Sequence, residues 1–187
     1  MKKVLIGIGI VVVLLLIAFP LLRKYTKSHS PEDQALYEGS NMRVTVDYCQ
    51  PSKKGRLIFG TEKAEALVPY GKPWRTGANE ATEIEFDQDV IFGGKPVDSG
   101  RYRLYTIPGE ENWEVVLNSE LGEWGINFDG TITAEAENNV LSIEVPSVNS
   151  MNETEMFTIQ FEEIMDNNAV MVMKWDKTTV NVPISMK

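Results

Sequence analysis

From residue 42 to the C-terminus, apolar residues recur at every second position, and that period constrains the fold more than any other feature. Val44, Val46 and Tyr48 alternate with Arg43, Thr45 and Asp47, and Ile84 and Phe86 alternate with Glu83, Glu85 and Asp87. Trp113, Val115 and Leu117 share one face, as do Leu141, Ile143 and Val145, then Phe157, Ile159 and Phe161. Val170–Trp175 is a continuous apolar run, the pattern of a strand covered on both faces. Val180, Val182 and Ile184 close the chain after an expected tight turn at Asp176-Lys177-Thr178. Gly93-Gly94, Asp98-Ser99-Gly100 and Asn138-Asn139 punctuate the runs as turns. About ten short strands without a long helical pattern predict an all-β fold, an antiparallel β-sandwich or a barrel-like domain.

A different object precedes it. Val4–Leu22 is uncharged and apolar, and at 1.5 Å per residue a helix of that length crosses the ~30 Å hydrocarbon layer. It ends in Phe19-Pro20-Leu21-Leu22-Arg23-Lys24, a basic stop without the small-residue site of a cleaved signal peptide. We therefore expect one N-terminal transmembrane helix, Val4 to Leu22, within an anchor spanning residues 1–27. Residues 28–41 read as a juxtamembrane linker with a short helix, because Ser30-Pro31-Glu32-Asp33 is a helix start that Gly39 would stop. Residues 42–187 then form a single β domain. Basic residues flank the span on both sides, so the positive-inside count is nearly balanced. The short N-terminal tail and acidic body favour a cytoplasmic N-terminus, with the domain in the periplasm or cell envelope.

Charge follows the same division. Residues 1–27 hold five basic residues and no acid, leaving 13 basic against 27 acidic residues in 28–187, a net of −14. Such a body does not suit nucleic acid, whose phosphates need a basic face. The single Cys49 and single His29 leave no internal disulfide and no Ser-His-acid or Cys-His arrangement on the domain. No cofactor is implied.

The densest chemistry lies in Val68-Pro69-Tyr70-Gly71-Lys72-Pro73-Trp74-Arg75-Thr76-Gly77-Ala78-Asn79-Glu80. Stiff loops on a rigid scaffold often carry binding sites, which makes Tyr70, Trp74, Arg75, Asn79 and Glu80 the candidate ligand residues. An aromatic face beside a guanidinium and an amide suits a sugar, a carboxylate or a peptide backbone. The structural alternative has Trp74 plugging the end of the fold, Arg75 paired with Glu80 or another acid, and Asn79 bonded to loop backbone.

This block, with Lys54-Gly55-Arg56-Leu57-Ile58-Phe59-Gly60, Leu67, Ala81-Thr82, Gly100-Arg101-Tyr102-Arg103-Leu104-Tyr105-Thr106-Ile107-Pro108-Gly109, Trp113-Glu114-Val115-Val116-Leu117-Asn118 and Trp124-Gly125, resembles a bacterial family of unknown function, number 2911. The resemblance covers roughly residues 40–185. It implies a secreted or envelope-associated β-rich domain and supplies no established activity or catalytic residue. The chain departs from it by inserting Thr61–Ala66 and by carrying an anchor where many relatives have a signal peptide.

Weaker constellations complete the reading. Asn127-Phe128-Asp129-Gly130-Thr131-Ile132 resembles the middle of a calcium loop, but Gly125 and Ala136 stand where its end ligands belong. Glu83, Glu85 and Asp87 read as a solvated face that could act as paired carboxylates only beside a cleft. The expectation is a membrane-anchored, extracytoplasmic binding or scaffold domain without catalysis, with a glycan or protein ligand and the membrane as partners. The alternatives are a cell-envelope glycan hydrolase using Glu80 and a second carboxylate, and a structural or assembly subunit.

Overall fold

The computed structural model describes residues 2–122, 124–127 and 129–187, without the side chains at 2–8, 10, 11, 15 and 17. A helix, α1 (Lys2–His29), leads directly into the first strand. Eleven strands follow: β1 (Glu32–Glu38), β2 (Arg43–Cys49), β3 (Phe59–Gly60), β4 (Val68–Pro69), β5 (Glu83–Phe86), β6 (Val90–Phe92), β7 (Lys95–Val97), β8 (Gly100–Ile107), β9 (Asn112–Asn118), β10 (Asn139–Met165) and β11 (Asn168–Met186). Nine of them form one sheet in the order β1-β2-β5-β8-β9-β10-β11-β6-β7, every pairing antiparallel. β3 and β4 make a separate short parallel pair.

The long strand β10 organises the sheet. Residues Asn139–Pro146 pair with β9, whereas Ser147–Met165 pair with β11. Residues on either side of this change of partner share one core: Val44, Val46 and Ile84 lie in the same cluster as Met171, Val180 and Val182. Across that core, Phe86 meets Phe92 with ring centroids 5.7 Å apart, and Tyr48 meets Phe157 at 5.7 Å. The sheet is not closed into a barrel, since β1 and β7 stand at its two ends.

Two local expectations are corrected. Residues 32–38 form a strand, not a short helix in a linker. Ala35 and Tyr37 are buried while Leu36 faces out, and all seven residues pair with β2. A buried alternating face outweighs a favourable N-cap in a segment too short to be a stable helix alone. The expected turn at Asp176-Lys177-Thr178 is instead an irregularity inside continuous β11, where Asp176 takes φ 51° and the pairing register shifts. Lys53 braces this bulge by bonding Asp176 at 2.8 Å and Glu153 at 2.9 Å.

The segment Val4–Leu22 is helical, but the transmembrane span expected there is not shown. Among the described residues no helix is long and apolar enough to cross a membrane. The side chains of 4–8, 10, 11, 15 and 17, on which that reading largely rests, lie outside the described residues.

Candidate binding cleft

The Trp74 loop is pinned to the sheet by its own backbone. Trp74 N donates to Thr106 O at 2.7 Å, and Thr106 N returns a bond to Trp74 O at 2.9 Å. Thr76 and Asn79 adopt φ 53° and 57°, which reverses the chain twice within four residues. Thr76 Oγ1 meets Thr106 Oγ1 at 3.0 Å, and Thr82 Oγ1 donates to Thr76 O at 2.8 Å. Gly77 packs so closely on β2 that an added Cβ would sit 3.1 Å from Cys49 O. This knot explains why the segment is rich in Thr, Gly and Asn.

Trp74 points into the core. Its ring lies 21° from parallel to Trp175 at 5.6 Å and meets Phe157 edge-on at 4.9 Å, while Nε1 donates to Gly77 O at 3.1 Å. Between this loop and Ile126 with Asp129–Ile132 lies a cleft of about 750 Å³. Its walls include Leu67, Trp74, Trp175, Ile126 and Ile132, and its ionisable side chains among the described residues are Arg56, Lys72, Arg75, Glu62 and Asp129. Ser30, just past α1, is one of its lining residues.

The five candidate residues do not share one surface. Trp74 and Arg75 line the cleft; Tyr70, Asn79 and Glu80 do not. Tyr70 is partly buried against the core, and burial with nearby Glu110 pushes its phenol upward. Asn79, 7% exposed, donates from Nδ2 to Ser30 O at 3.0 Å. Glu80 reaches α1, bonding Arg23 Nη2 at 2.8 Å and Lys27 Nζ at 3.3 Å. Lys27 also bonds Glu32. The structural alternative paired Arg75 with Glu80 or another acid, and among the described residues no such ion pair forms. Arg75 Nη1 instead donates to Asn79 O at 2.8 Å and Trp124 O at 3.0 Å. Burial draws its pKa below the usual guanidinium value, against the opposing influence of Cys49 and Glu80.

These environments decide what the groups can do chemically. Burial alone would raise the Glu80 carboxyl, but its own backbone N–H, Arg23 and Lys27 together hold it below the ordinary value. A general acid needs the opposite shift. Cys49 is buried, donates to Glu80 Oε2 at 3.5 Å, and has its thiol pushed up to about 11, chiefly by burial, so it is not poised as a thiolate. Glu83, Glu85 and Asp47 converge on exposed Arg101 at 2.6, 3.4 and 2.8 Å, as a charge network on the outer face. Asp129 accepts bonds from Thr131 N at 3.0 Å and Thr131 Oγ1 at 2.6 Å, a side-chain turn. Phe128 of the calcium-like stretch lies outside the described residues. Among the described residues, no cluster of His, Cys, Asp and Glu could hold a metal.

Sequence reasoning missed several participants. Arg103 alternates with Leu104 like a solvent-facing residue, yet it is 2% exposed. The β9–β10 connection covers it: Nη1 donates to Thr133 Oγ1 at 2.8 Å, Nη2 donates to Gly122 O at 2.6 Å, and Nε has no partner among the described residues. The same connection closes on Arg75 at Gly125, where φ is 81° and an added Cβ would lie 3.0 Å from Arg75 Cδ.

Fold and cleft together define an antiparallel β domain with a largely apolar recess beside the end of a helix. The chain belongs to the family described as Protein of unknown function (DUF2911), whose model matches residues 30–184. The match begins just before β1, which places that strand with the domain and not with a linker. No curated protein and no solved structure matches the chain.

Proposed function

We propose that this protein is a membrane-tethered, extracytoplasmic binding domain that holds a small ligand in the cleft between the Trp74 loop and Ile126 with Asp129–Ile132. The observation that carries this reading is the cleft itself. Its volume of about 750 Å³, with apolar walls and a few charged groups, is the usual size and make-up of a small-molecule site. The tether is supported by the uncharged run Val4–Leu22 and by the described part of α1. There Val13, Leu14, Leu16, Phe19, Leu21 and Leu22 are more than half exposed, with no protein surface covering them. The sandwich architecture expected from the sequence is consistent with one core shared by the two parts of the sheet.

The test uses the full chain in phosphatidylcholine nanodiscs, titrated with muropeptides, chito-oligosaccharides and short peptides by tryptophan emission and calorimetry. Ile132→Asp, which places a charge on the cleft wall, is expected to weaken a bound ligand at least tenfold. Glu80→Gln, outside the cleft, is expected to leave affinity unchanged. A ligand indifferent to Ile132→Asp would show that binding occurs elsewhere.

A further inference from the structure

The cleft is opposite in charge to the domain that contains it. Residues 28–187 carry a net −14, yet among the described residues the cleft is lined by Arg56, Lys72 and Arg75 against Glu62 and Asp129. Both acids are weak competitors for an incoming anion. Asp129 already accepts two bonds from Thr131, and Glu62 is an exposed side chain that reaches Lys72 only at 3.8 Å.

Arg75 is the more telling group. Arg75 is partly buried, and its Nη1 is satisfied by two carbonyls, Asn79 O and Trp124 O. Among the described residues it has no carboxylate within 4.0 Å, Glu80 acts on it only from farther off, and its Nε and Nη2 have no protein partner. The Nε–Nη2 edge of a guanidinium matches the two oxygens of a carboxylate. The apolar part of the cleft lining, Trp74, Leu67, Ile126 and Ile132, suits hydrocarbon.

We propose that the cleft takes an apolar monocarboxylic acid, with its carboxylate on the free edge of Arg75 and its hydrocarbon body against Trp74, Ile126 and Ile132. Lys72 at the exposed rim adds attraction at longer range. This assignment rests on the reading of the cleft as the binding site and names the chemistry of its ligand.

Octanoate, octyl glucoside and octylammonium share one chain and differ only in the head group. Each is titrated against the full chain in nanodiscs, with empty nanodiscs correcting for partition into lipid and indole N–H shifts reporting contact with Trp74. Octanoate is expected to bind at least tenfold more tightly than octyl glucoside, with octylammonium weakest. Arg75→Gln should abolish that preference. Because Arg75 also holds the loop, Lys72→Glu at the exposed rim provides a second variant, expected to weaken octanoate several-fold and to leave octyl glucoside unchanged. Equal binding of octanoate and octyl glucoside, insensitive to both variants, would overturn the carboxylate assignment and leave the apolar cleft standing. Failure of octanoate to bind while a muropeptide or peptide binds in an Ile132-dependent way would overturn it equally. Failure of all these ligands would overturn both readings.

Discussion

A single phenol shows how polar groups hold the two parts of the sheet together. Tyr48 Oη accepts from Ile159 N at 3.0 Å and from Gln50 Nε2 at 3.1 Å, and donates to Asp33 Oδ2 at 2.9 Å. It thereby links β1, β2 and β10. Burial, partly opposed by the Ile159 backbone, pushes its pKa up to about 12, so it stays a neutral donor. Tyr48→Phe keeps the packing against Phe157 but leaves Ile159 N–H buried without a partner. We expect a loss of about 1–3 kcal/mol in urea unfolding, the usual cost of an unsatisfied buried donor. Glu80 gives a pH signature at the same scale. Its folded pKa lies below the ordinary carboxylate value, so its contribution is present above that value and lost as pH falls through the folded pKa. In Glu80→Gln, acid titration should show a shallower stability decline below about pH 4.5. An acid limb identical to that of the parent protein would mean that the carboxylate is not tied to Arg23 and Lys27 in solution.

At the scale of elements, β1 is the most instructive. Ala35 is 7% exposed opposite Val46, whereas Leu36 beside it is 43% exposed. Ala35→Asp should therefore cost about 3 kcal/mol, the penalty for an uncompensated buried charge, while Leu36→Asp should stay within about 0.5 kcal/mol. Similar losses from both substitutions in thermal melts would contradict the strand register. Much of the sheet is legible in the sequence because alternation survives wherever one face is dry and the other wet. It is clear at Val44–Tyr48, Ile84–Phe86 and Trp113–Leu117, all of which lie in strands. It fails at Glu32–Glu38, where a helix-start signature overlies a seven-residue strand whose partner is fixed only by tertiary pairing. It fails again at Asp176, because a bulge and a turn use the same residue types. For the site, Trp74 and Arg75 could be singled out by composition alone. The split between cleft and helix contact could not, because it depends on two left-handed residues and on a connection arriving from residues 119–135.

For the whole molecule, the decisive junction is the one between α1 and the sheet. Only Ser30 and Pro31 separate α1 from β1, and Asn79, Glu80 and Gln50 hold both sides of the joint. A flexible linker across residues 28–41 would let the domain wander roughly 20 Å around its attachment point. The clamped joint confines it to one seat. With α1 in a bilayer as proposed, the domain keeps a constant height and heading over the lipid, and Ser30 in the cleft lining stays close to the end of the helix. Energy transfer from a donor on the domain to labelled headgroups should give one narrow distance distribution, broadened in Glu80→Gln. Search for a partner then takes place in two dimensions: molecules sliding along the membrane meet the same side of the domain at each encounter, and those arriving from bulk solvent do not.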